Sequence, residues 1–150
     1  MRREQTRVVT VGVRKADEPR KDQVLTYAAF VFAAALLAHG ADHMRRGLKV
    51  LTPEVYWAGM ALSALAVISI ILVVARHSWG PWLSVVVGLP MAVAVTASHL
   101  LPHWSSFSDA FPGSAADRWS YAAVLFEVTG ALLFGSAGLR VLLRPAQSKT

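Results

Sequence analysis

The chain has 150 residues and a mass of 16.2 kDa, enough for one compact domain or a few membrane spans and nothing larger. Hydrophobic residues make up 55% and charged residues 16%, against roughly 25% charged in an ordinary soluble domain, which points to a membrane protein. The formal charge of +6 lies mostly in the tails, where it speaks for membrane orientation rather than nucleic-acid binding, and the absence of cysteine excludes disulfides, iron–sulfur clusters and thiolate metal sites.

Residues 1–22 (MRREQTRVVTVGVRKADEPRKD) are polar and rich in Arg and Lys, and read as a basic, disordered cytoplasmic tail. No apolar run follows the first basic residues, so a cleaved signal is not expected. Residues 23–143 read as a four-helix membrane domain, and residues 144–150 as a C-terminal cytoplasmic tail. Each apolar run approaches the ~20 residues that cross ~30 Å of hydrocarbon at ~1.5 Å per residue.

The expected helices cover about 23–44, 53–76, 81–101 and 118–141. Asp22 is a candidate N-cap for the first. Thr52-Pro53-Glu54 opens the second with a cap, a proline at the first helical position and an acid in the first turn. The third should bend near Gly88 and Pro90, because a proline removes a backbone donor and clashes with the preceding turn. Asp117 is placed to cap the fourth. Short loops make the first three helices antiparallel neighbours, so the fold class is an all-α four-helix transmembrane bundle.

All five tryptophans (Trp57, Trp79, Trp82, Trp104, Trp119) fall near helix ends, where an amphipathic ring prefers the headgroup layer. With the N-terminus inside, the inner side carries eleven of the Lys and Arg residues and the outer side four (Arg45, Arg46, Lys49, Arg118), so both termini are expected in the cytoplasm of a multi-pass cell-membrane protein. Small residues suit helix contacts in lipid: Gly130, Ala131, Gly135 and Gly138 in the fourth helix, Ala34 and Ala38 in the first, and Gly59 and Ser63 in the second.

The histidines carry the chemical signal. His39 and His43 stand four apart, which stacks them on one helix face, with Asp42 bordering it; His99 and His103 are also four apart, with Pro102 between them. Imidazole and carboxylate ligands suit Zn, Cu, Ni or Fe, so His39, Asp42, His43, His99 and His103 form a candidate outward-facing metal cluster. The competing reading leaves them as interfacial polar residues, which is also the reading of His77.

Glu127 alone is ionisable deep in an apolar run. A mid-bilayer carboxylate costs several kcal/mol unless protonated, paired or metal-bound, so it is a candidate for proton or charge relay. His39 is its expected partner if the first and fourth helices touch; Thr96 or Thr129 would instead make it structural glue. Between Pro102 and Asp117, Trp104, Phe107 and Phe111 suggest a loop lying on headgroups and partly covering the histidines, and Arg45 and Arg46 could pair with lipid phosphates. A Ser-His-Asp triad drawn from that loop lacks a nucleophile elbow, and no nucleotide-binding motif occurs.

Gly40-Ala41-Asp42-His43 is similar to part of the H-x-x-x-D-x-D-H signature of nickel and cobalt transporters, although the upstream His39 stands closer and those transporters have more helices. His39, Asp42, His43, Ser98, His99 and His103 also resemble fragments of the metal site in the alkaline ceramidases, seven-helix intramembrane zinc hydrolases. Each resemblance covers a handful of residues and implies metal binding without fixing an activity.

The leading expectation is a metal-binding membrane protein for transport or delivery, with Glu127 exchanging a proton and with a homo-oligomer or larger membrane complex completing any pathway. The alternatives are a b-type haem electron carrier with one ligand from each histidine pair, a lipid-directed metal hydrolase, and a non-catalytic subunit of a membrane complex.

Overall fold

The computed structural model describes residues 18–114 and 116–143. It is all-helical, with α1 over Glu18–Arg46, a short 3-10 turn over Leu48–Val50, α2 over Pro53–Val74, α3 over Gly80–His99 and α4 over Arg118–Leu142. All four long helices are long and apolar enough to cross a membrane. Most of the expected tail and residues 144–150 lie outside the described residues.

The helix ends follow from local chemistry. The Thr52 hydroxyl accepts from the Val55 amide at 3.2 Å and Pro53 opens α2, while the Asp117 carboxylate accepts from the Trp119 and Ser120 amides at 3.1 Å each. At α1 the expectation is corrected: the helix begins at Glu18, so Asp22 lies within it rather than capping it. Glu, Arg and Lys are good helix formers, and a charged stretch can extend a helix without any apolar face. α2 stops at Val74, short of the expected 76, where the chain turns through Arg76 in the left-handed region (φ 55°) before α3. α3 runs through Pro90 and ends at His99, ahead of Pro102.

α4 is the central helix. Ser120, Val124, Glu127, Gly130, Ala131, Phe134, Gly135, Ala137 and Gly138 are all buried along it. It packs most closely on α3, where a Cβ added at Gly88 would lie 2.8 Å from the Ala131 carbonyl oxygen and one at Gly138 would lie 2.7 Å from that of Pro81. α1 meets the adjacent face, with Gly130 against the Phe32 backbone and Phe32 stacked on Phe134 at 5.3 Å. These glycines let backbones approach, as lipid-embedded helices require.

α2 is the peripheral helix: only Ala66, Ser69 and Val73 are buried along it. Elsewhere the surface is strongly apolar, with Leu37 75%, Val93 70% and Met44 71% exposed, and all five tryptophans exposed near helix ends. A contiguous apolar exterior of this kind is costly in water and suits lipid.

Candidate metal centre

Two consecutive turns of α1 place His39 and His43 on one face, their ring centroids 4.5 Å apart. The last residue of α3, His99, meets them with its ring 4.8 Å from His39 and 5.5 Å from His43. One nitrogen from each of the three rings lies within 4.8 Å of the others, so the group could hold a metal ion. His39 and His99 are buried at 6% and 3% exposure, and His43 is half-buried.

Ligands at ~2.0–2.1 Å around a tetrahedral zinc sit about 3.4 Å from one another, so closing the group on an ion requires the rings to move by about 1 Å. Small side-chain rotations supply that much.

The Nδ1 atoms of all three rings are engaged. His39 Nδ1 bonds to the buried Glu127 carboxylate of α4. His99 Nδ1 donates to the Asp109 carbonyl at 3.1 Å; a carbonyl only accepts, so Nδ1 carries a proton and Nε2 is the nitrogen left to take an ion. Such carboxylate and carbonyl partners fix the tautomer and orientation of a metal-binding imidazole. His39 Nε2 is buried with no hydrogen-bond partner among the described residues, an uncommon situation for a polar atom in an interior.

His43 differs. Its Nδ1 accepts from Arg46 Nη2 at 3.0 Å, so the neutral ring carries its proton on Nε2. A metal on Nδ1 would displace Arg46, and a metal on Nε2 would move the proton to Nδ1. By either nitrogen, coordination by a neutral His43 breaks the Arg46 bond.

The loop after α3 folds back over the site. Amides of Asp109 and Phe111 donate to the carbonyls of Ser98 and His99 at 3.0 and 2.9 Å, capping the α3 C-terminus and bringing Asp109 onto His99. Arg46 Nη2 donates to Asp109 at 2.6 Å and Arg46 Nε to Asp42 at 3.0 Å. Burial pushes the Asp109 carboxyl up, but its hydrogen bonds with His99 and Arg46 and the Arg46 charge outweigh this and hold it below the usual carboxylate range. Arg45 spans Asp42, at 2.7 Å, and Asp117, at 2.8 Å, joining the end of α1 to the start of α4.

Several sequence-derived expectations change here. Asp42 is buried beside the histidines but spends its carboxylate on Arg45 and Arg46, and it is not in the ligand group. His103 is exposed beyond the end of α3 and is also outside it. Arg45 and Arg46 bind protein carboxylates rather than being left for lipid phosphates. Phe111 points inward, at 1% exposure, between His99 and Tyr121.

Thr96 and Thr129 bond back to carbonyls of their own helices, leaving His39 as the partner of Glu127. Asp109 and Arg46 are the organising residues that the ligand set did not include. The Asp42/Arg46 spacing was a visible helical ion pair, whereas Asp109 gave no local signal.

Comparison with protein-family models, curated proteins and solved structures finds no match. The chemistry must be read from the site alone. His39 and His99 touch edge to face, leaving no space for a porphyrin plane between them, so the geometry does not favour bis-histidine haem ligation by that pair. Three imidazoles with no fourth protein ligand among the described residues resemble, in donor type and number, open rather than closed metal sites.

Proposed function

We propose that this chain is a multi-pass cell-membrane protein that holds one transition metal ion, of the Zn, Cu, Ni or Fe type, on His39, His43 and His99. The observation that carries the reading is the convergence of three imidazoles, one of which, His39, has its Nδ1 anchored on Glu127 and its Nε2 buried without a partner among the described residues. The excess of basic residues in the tails supports cytoplasmic termini and a metal site at the outer end.

Glu127 in this reading positions His39 and offsets part of the charge an incoming ion brings. About two helical turns further along α1 and α4, Phe32 and Phe134 stack with both side chains fully buried, which favours holding and delivery over a pore within one chain. Delivery would then use a second copy or a larger membrane complex as partner, with the bilayer as the common surrounding.

The test is elemental analysis and an absorption spectrum on one detergent-purified sample, with His39→Ala/His99→Ala and His103→Ala variants beside it. One metal per chain, lost in the double variant and kept in His103→Ala, is expected. A protein that contains no metal and fails to bind added Zn, Cu, Ni or Fe refutes the reading, and a Soret band would move it to haem.

A further inference from the structure

A cavity of about 340 Å³ opens beside the three histidines, walled by α1, α2 and α3. At ~30 Å³ per water it would hold about eleven waters, and it falls in the size range of small-molecule sites. Its walls are mainly apolar, including Leu36, Leu62, Met91 and Val95. Apart from Tyr56, the ionisable side chains that line it are the three histidines and Glu127, all from the cluster already described. Met44 and Met60, 71% and 52% exposed, stand where the lining reaches the lipid-facing surface.

Two glycines show that the space is built in. Gly40 and Gly59 lie inside α1 and α2, where glycine costs about 1 kcal/mol relative to alanine. A Cβ at either would meet nothing within 4 Å, unlike those at Gly88, Gly130, Gly135 and Gly138. No helix contact requires them, yet both line the cavity. The expectation that Gly59 is a packing groove is corrected: it keeps the pocket wide.

We infer that this cavity takes a single-chain amphiphile with a carboxylate head, its oxygen completing the coordination of the metal and its chain lying between α1, α2 and α3. The inference rests on the metal reading above. Three neutral imidazoles take no charge from a divalent ion and Glu127 offsets only part of it, so the ion still favours an anionic oxygen in the open position. No Lys or Arg lines the cavity to serve a phosphate or sulfate head independently of the metal. The remaining walls offer an apolar chain the environment it has in lipid, with the reach to the ion that a bilayer tail lacks.

The test loads the full chain with Co(II) in nanodiscs and follows the visible cobalt band during titration with decanoate and with acetate. Decanoate should bind at least about tenfold more tightly than acetate, the gain from burying two methylenes. Gly59→Leu should weaken decanoate at least about tenfold while shifting acetate less than about twofold, because it fills the chain's space. Comparing proteins in the same nanodiscs cancels the partition of decanoate into lipid. Gly40→Leu probes the α1 wall and serves if Gly59→Leu misfolds. With cobalt retained, equal affinities for the two acids, or equal weakening of both by the substitutions, overturn the inference and leave the metal reading standing. Failure to load cobalt or any other transition metal overturns both.

Discussion

Replacing Glu127 should weaken metal binding by an amount that its position sets. The residue is 1% exposed and its carboxylate holds His39 Nδ1. Outer-shell partners of metal-binding histidines are worth about 10–100-fold in affinity, or about 1.4–2.8 kcal/mol. Glu127→Gln keeps an acceptor oxygen but loses the charge, so about tenfold is expected; Glu127→Leu removes the acceptor and should approach about a hundredfold.

Stability of the metal-free protein is a poorer readout, because two effects oppose each other. Losing a hydrogen bond to a charged group costs about 1.5–3 kcal/mol, while removing a buried carboxylate relieves a desolvation penalty of several kcal/mol. The assay is competition with a coloured chelator on detergent-purified protein, with circular dichroism to confirm helicity. A Glu127→Leu protein that stays helical and binds metal within about twofold of the parent would refute the positioning role.

Other expectations separate packing from chemistry. Gly138→Ala should lower the melting temperature, since the new Cβ meets the Pro81 carbonyl oxygen at 2.7 Å and forces α3 from α4 at a cost of about 1–3 kcal/mol, whereas Gly40→Ala should hold or raise it, with a stability gain of up to about 1 kcal/mol; shifts in the same downward direction would contradict this. Arg46→Ala strips a cation from Asp42 and Asp109, all three side chains no more than 14% exposed, and should cost about 3 kcal/mol in denaturant unfolding; a loss below about 1 kcal/mol would mark an ordinary surface pair. Because the Asp109 pKa is depressed on folding, its contribution to stability is full above about pH 4 and is lost as pH falls through the lower folded value. Melting scans should show a steeper fall below about pH 4 in the parent than in Asp109→Asn, and parallel curves would refute that assignment.

Hydropathy alone made the four helices legible, because each apolar run exceeds what a small soluble core would need and Thr52 and Asp117 mark two starts. The charged segment from Glu18 to Asp22 hid the first turns of α1, since a helix without an apolar face carries no periodic signal. Spacing exposed His39 and His43, and depth exposed Glu127. His103 has the same spacing from His99 as His43 has from His39, yet α3 ends at His99 and periodicity has no meaning past a helix end. Asp42 lay on the right face, but its carboxylate was drawn by two arginines one turn along. The role of Asp109 depends on a loop folding back onto α3, and the cavity depends on how sparsely α2 packs; both are tertiary facts without a local pattern.

The pairing of His39 with Glu127 spans 88 residues, from the first long helix to the last. At a synthesis rate of about 5–20 residues per second, His39 leaves the ribosome roughly 4–18 seconds before its partner. Through that interval the first helix has neither its carboxylate anchor nor the loop that seats His99. Assembly of the centre is thus a late event in biogenesis: the fourth helix closes the bundle and completes the site in one step, and a nascent chain stalled before Glu127 lacks the residue that aims His39.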